Sequence, residues 1–190
     1  MSDIFLNVKP QQLLAPYELK TNTRGRELLN RKIMPRFASY FKDGDKILSV
    51  GRHRKWDYSR FFNTPAKLCD FVVTDIQAEM EPDIVDNMGA SKFEDNTFDG
   101  IILVGVYDSL IGAVGDQITS EVHRVLKPGG RVLIAWSGTP EGKYSPHEAW
   151  PNFIVDEVYY AWGEQFLGED GNYYGEGQNQ GIFLIARNKA

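Results

Sequence analysis

Cysteine is almost missing from this chain. Cys69 is the single one among 190 residues, so no disulfide can form within it. A structural zinc site built on several thiolates is disfavoured for the same reason. Long apolar runs are missing too: none reaches the roughly 18 residues that a membrane-crossing helix needs. Positive charge is not in excess, with 21 Lys and Arg against 26 Asp and Glu and a net charge of -5. That balance disfavours a broad basic face for nucleic acid. There is no internal repeat and no low-complexity block. The N-terminus lacks the basic, apolar, small-residue order of a secretory leader, so a cytoplasmic protein with no membrane partner is expected. Neither an HExxH pair nor an EF-hand loop occurs, so no required metal is expected.

What is present suits one globular domain. Hydrophobic residues make up 42% and charged residues 25%, an ordinary balance for a buried core of this size. Residues 1–20 show no sustained period and read as an arm. From Thr23 to Phe41, Leu28, Leu29, Ile33 and Phe37 follow a helical spacing. Short apolar strands are predicted at 46–50, 71–74, 84–85, 99–105, 131–136 and 182–186. Helices are predicted at 57–62 and 113–126. Strands that alternate with helices imply an α/β fold, with a mostly parallel, doubly wound sheet of about seven strands and an antiparallel closing strand. Ligands of such sheets bind beyond the C-terminal ends of the strands. The positions to inspect are therefore Gly51 to Lys55, Asp75-Ile76, Asp86 to Met88, Val104 to Asp108, and Ser137 onward.

The stretch His123 to Trp136, HRVLKPGGRVLIAW, carries the most specific pattern. Pro128 stops a helix because it lacks an N–H and biases Lys127 away from helical angles. Gly129 and Gly130 allow a tight turn, and an apolar strand follows. Upstream, ILSVGRHRKW places Gly51 directly after the first strand, where a ligand needs close backbone approach. A dinucleotide site would want G-x-G-x-x-G, and only Gly51 is there, so NAD is disfavoured. FVVTDIQ ends the second strand on Asp75, an acid able to accept from two ribose hydroxyls.

Together these segments resemble the class I S-adenosylmethionine (SAM)-dependent methyltransferases over residues 45–136, and most nearly the small type 11 family. HRVLKPGG matches that family's late signature, and Phe93, Asp95, Phe98 and Asp99 match its run into the fourth strand. The family usually has G-x-G after the first strand, whereas this chain has Gly51-Arg52-His53. The resemblance implies SAM as cofactor, bound by Gly51, Arg52, His53, Asp75, Ile76, Asp86, Asn87, Met88, Val104 and Gly105. It implies that Asp86, Asn87 and Met88 lie at the adenine. Only residues 76–85 separate Asp75 from Asp86, so the helix between strands two and three is expected to be lost or reduced to a turn. The domain divides into an arm and helix (1–44), the SAM-binding core (45–136), and a substrate-side loop with closing strands (137–190).

The acceptor side is read from residue chemistry alone. Arg24 of the N-terminal segment offers paired hydrogen bonds to an anion. Tyr107 follows the fourth strand, and the long loop after the fifth carries Tyr144, His147 and Trp150. Aromatic faces beside polar groups suit a sugar or similar polar ring. A small-molecule or glycan acceptor methylated on a hydroxyl is the leading expectation, with His147 or Asp108 taking the proton. The alternative is a catalytically silent domain of the same fold that serves as a binding or scaffolding module.

Overall fold

The computed structural model describes residues 28–52, 57–104, 113–137, 150–161, 166–167, 173–174 and 181–189. A π-helical turn, Leu29–Ile33, runs without a break into α1, Met34–Ala38. The predicted helix thus persists through its described part but changes type at Pro35, which has no N–H to give to the preceding turn. β1 is Lys46–Val50, and a 3-10 turn at Ser59–Phe61 stands where a longer helix was predicted. A small hairpin, β2 (Asn63–Thr64) with β3 (Lys67–Leu68), leads into β4, Asp70–Asp75. A single 3-10 turn, Ala78–Met80, links β4 to β5, Ile84–Val85. β6 is Phe98–Val104, α2 is Ala113–Val125 and β7 is Leu126–Ser137. β8 (Phe153–Ala161), the short pair β9 (Phe166–Leu167) and β10 (Tyr173–Tyr174), and β11 (Gly181–Asn188) complete the described chain.

Seven strands form one sheet in the order β5-β4-β1-β6-β7-β11-β8. The pairs from β5 through β7 are parallel, and β11 runs antiparallel to both β7 and β8. This is the Rossmann-like, mostly parallel sheet with an antiparallel closing strand that the sequence predicts. β8 is a strand that sequence reading left inside a loop-rich tail.

Alternation along the strands sorts the core into two layers. Leu48, Ile101, Leu103, Val132, Ile134 and Leu184 pack with Ile118, Val122 and Val125 of α2. Their neighbours Ile47, Ile102, Leu133, Phe183 and Ile185 pack on the other face with Ile33, Met34 and Phe37 of the N-terminal helix. Each of these buried side chains contributes about 1.5–3 kcal/mol relative to exposure.

The KPGG turn interrupts β7 near its start. Leu126 pairs with Phe98, and the ladder then resumes at Arg131 beside Gly100, with Lys127 to Gly130 looped out between them. Gly129 has φ 77, which only glycine adopts freely. Asn188, at the end of β11, donates to the carbonyls of His123 (3.0 Å) and Leu126 (2.7 Å), tying the last strand to the end of α2. Among the described residues no helix is long and apolar enough to cross a membrane.

Candidate functional site

The C-terminal edges of β1, β4 and β5 converge on one backbone network. Gly51 follows β1 with φ 85, and its N–H donates to the carbonyl of Thr74 at 2.8 Å. The Arg52 N–H donates to Oδ2 of Asp75 at 2.7 Å, and the Gln77 N–H donates to Oδ1 at 2.9 Å. The Asp86 N–H donates to the Asp75 carbonyl at 3.0 Å. Gly51, Arg52, Asp75 and Asp86 therefore form one connected rim. Each Asp75 oxygen keeps lone-pair capacity for a further donor.

Asp86 is only 5% exposed. Its Oδ1 accepts from the Lys92 N–H at 3.1 Å, while Oδ2 is buried with no hydrogen-bond partner. A buried carboxylate oxygen without a donor is costly, and it marks a place where a donor group is wanted. Asn87 Oδ1 accepts from the Gly89 N–H at 2.9 Å and caps the turn Met88–Ala90.

The remaining expected residues divide sharply. Met88 is 4% exposed and packs with Ile118 and Val122 in the α2 layer, so its side chain is a core side chain. Ile76 lies at the opposite extreme, 64% exposed just past β4. Val104 ends β6 half-buried against the N-terminal helix layer. Trp150, expected to meet substrate, is fully buried, with its ring 5.1 Å from that of Phe153 in an edge-to-face pair. It is a core residue that seats β8, because an indole of that size gains most from apolar surroundings. His53, Gly105, Tyr107, Asp108, Tyr144, His147 and Arg24 lie outside the described residues.

Sequence reading missed the residue that braces the Asp86 side of the rim. Arg124 of α2 donates to the carbonyls of Ser91 (3.0 Å) and Phe93 (2.8 Å) and pairs with Asp95 (2.7 Å) and Glu121 (2.7 Å). Hydrogen bonding to Glu121 and Asp95 holds its guanidinium pKa above the usual arginine value, and the same contact to Arg124 holds Glu121 below the usual carboxylate value. The signal in sequence was its place in HRVLKPGG, one residue after His123. That histidine is structural, its ring 5.9 Å from Phe153. No group of His, Cys, Asp or Glu able to hold a metal occurs among the described residues.

Residues 59–134 match the family model described as a methyltransferase domain, the type 11 family. Over these residues the chain is similar to the type 11 methyltransferase domain. Its fold is that of the class I methyltransferases, and solved structures share it at low identity. The N-methyltransferase NodS from Bradyrhizobium japonicum WM9, in complex with S-adenosyl-L-homocysteine, superposes with TM-score 0.65 at 14% identity, covering 95% of this chain and 96% of that one. A TehB-like SAM-dependent methyltransferase from Corynebacterium glutamicum reaches 0.57 at 19% identity, covering 88% and 95%. The cyclase SpnF reaches 0.62 at 12% identity, covering 95% and 94%, so this fold is not confined to proteins named as methyltransferases. No curated protein matches the chain significantly in sequence.

Proposed function

We propose that this chain binds SAM at the Gly51–Asp75–Asp86 rim and transfers its methyl group to a hydroxyl of a small polar or glycan acceptor. The observation that carries the cofactor reading is Asp86 Oδ2, buried and unpaired beside the loop that holds Asp75. An adenine amino group is a donor of the kind that oxygen lacks. Asp75 would accept from the ribose hydroxyls with its remaining lone pairs. Gly51, with no side chain, leaves room for the methionine end. The NodS complex with S-adenosyl-L-homocysteine supports the same choice of cofactor on this fold.

SAM supplies a methyl group activated on a sulfonium sulfur. This chain must place the acceptor in line with it and accept the proton that the hydroxyl loses. β6 adjoins β1, and β7 adjoins β6, so the C-terminal ends of both strands lie on the same side of the sheet as the rim. His147 and Asp108 are the candidates for the proton, and Arg24, Tyr107 and Tyr144 for holding the acceptor.

The deciding experiment is calorimetry with S-adenosylhomocysteine and its deaminated analogue S-inosylhomocysteine. The adenosyl ligand should bind more tightly, and Asp86→Asn should weaken it about 10- to 150-fold, the worth of a hydrogen bond to a charged group. Equal binding of both ligands removes Asp86 from the adenine. Methyl transfer from labelled SAM to a panel of sugars, phenols, amines and thiols then tests the acceptor, and turnover confined to amines or thiols refutes the hydroxyl. The second reading, a silent binding domain, is favoured by His53 standing where the family has its second glycine. Cofactor binding without turnover on any acceptor class would support it.

A further inference from the structure

At the end of the sheet away from the cofactor rim, β7 and β11 set two arginines against each other. Arg131 lies near the start of the parallel ladder, beside Gly100, and Arg187 is its partner in the antiparallel register. Leu133 and Ile185, two residues further in on the same strands, pack in the layer of the N-terminal helix, so both arginines stand on that face. Side chains paired in this way have Cβ atoms about 4.5–5.5 Å apart, and like charges there repel. A β-bulge opposite Ile185 and Ala186 makes Asp156 the extra residue of β8, and its carboxylate reaches both guanidiniums.

That one carboxylate serves the two cations unequally. Arg187 Nε donates to both oxygens of Asp156 at 2.8 Å. Arg131 Nε stands 3.6 Å from Oδ2, too far for a hydrogen bond, and is buried without a partner. The Arg131 side chain is only 25% exposed, yet among the described residues it makes no hydrogen bond. Its guanidinium rests on the ring of Tyr40, 3.9 Å from the centroid. Glu157, the other carboxylate of this cluster, is taken by Arg36, Tyr40 and Tyr159. Arg131 therefore carries a charge that is mostly out of water and answered by no hydrogen bond. The terminal nitrogens of both arginines make no hydrogen bond among the described residues and are not buried, so they are open to a ligand.

Two adjacent guanidinium forks with open ends match an oxyanion, each fork giving paired N–H bonds. A phosphate monoester offers three free oxygens and nearly two negative charges, enough for both forks. A diester offers only two such oxygens and one charge. We propose that Arg131 and Arg187 together bind the phosphate of a monoester. Tyr40 is the platform under Arg131, and Asp156 fixes Arg187 through Nε while leaving its terminal nitrogens free. This site is separate from the cofactor rim and does not rest on the reading given to that rim.

The test is calorimetric titration of the whole chain at low ionic strength with three probes. They are inorganic phosphate, dimethyl phosphate as the diester, and chloride as a control for charge alone. Phosphate should saturate at millimolar concentration or below, and the other two should not. Arg131→Gln should weaken phosphate roughly 3- to 30-fold, between the worth of an exposed ion pair and that of a charged hydrogen bond. This variant breaks no hydrogen bond among the described residues, so it should fold, and its Tm checks that. If it unfolds, Arg131→Lys decides, since it keeps the charge and loses the fork. No saturation by phosphate, equal binding of dimethyl phosphate or chloride, or parental affinity in the deciding variant overturns the proposal.

Discussion

The backbone of Arg52 and the side chain of Asp75 are joined by a 2.7 Å hydrogen bond across the ends of two adjacent parallel strands. The carboxylate expected on a ribose is thus also the clamp that sets the path of the glycine loop. On the proposed reading one residue would both hold the cofactor and shape the loop that receives it, and this coupling makes its substitution informative.

Asp75→Ala should lower S-adenosylhomocysteine affinity about 10- to 150-fold, because a charged acceptor for two hydroxyls is gone. It should also destabilise the fold, since the Arg52 and Gln77 N–H groups lose their acceptor. Asp75→Asn keeps one oxygen and should fall between. Calorimetry and chemical denaturation read the two effects separately. An Asp75→Ala protein that binds as the parent does would sink the assignment.

Gly51 sits at φ 85. Left-handed backbone costs a residue with a Cβ about 1–2 kcal/mol, and a β-branched one more. Gly51→Val should lower Tm and abolish cofactor binding together. Gly51→Asn tolerates that φ, so it should fold with near-parental Tm yet still lose affinity if the cofactor touches this backbone. Full binding by the Asn variant would show that the glycine serves conformation alone.

Arg124→Ala should cost roughly 1–3 kcal/mol in urea denaturation, because carbonyls of Ser91 and Phe93 and two carboxylates lose a shared donor. Arg124→Lys should rescue little, since a point charge cannot serve four acceptors at once. Affinity for S-adenosylhomocysteine should fall by less than in Asp86→Asn, as Arg124 acts only through the segment it braces.

A second, partly buried cluster predicts acid sensitivity. Glu157 on β8 accepts from Tyr40, Tyr159 and the Arg36 guanidinium. Burial disfavours its charge, but these donors outweigh burial and hold its pKa below the ordinary 4.5. A lowered folded pKa means stability that is present above 4.5 and lost as pH falls through the folded value. The parent should therefore lose its advantage over Glu157→Gln as pH drops from neutrality to about 3. A stability gap that stays constant with pH would refute this.

Much of the fold was legible because its strands are short apolar runs that end on glycine or acid. KILSV, FVVTD and GIILV each announce a parallel strand, buried on β1 and β6 and half-buried on β4. β8 was not legible, since FIVDEVYYA carries Asp156 and Glu157 in mid-strand. Those acids belong there because Arg187 and Arg36 reach them. Trp150 misled in the other direction: its place in a long loop suggested an aromatic face for the acceptor, whereas its bulk is spent on Phe153. Asp75 and Asp86 could be read from spacing. Arg124 could not, because three of its four acceptors, on Ser91, Phe93 and Asp95, lie some thirty residues earlier and meet it only once α2 has docked.

The last strand of the chain, β11, does not lie at the edge of the sheet but between β7 and β8. On a ribosome that emits residues in order, the sheet can close only when Gly181–Asn188 has emerged. Until then β7 has a bare flank and β8 has no neighbour in the seven-stranded sheet. Truncation before Gly181 should therefore remove two strands from that sheet rather than one, and the nascent chain should expose two unpaired edges to chaperones until β11 has been made.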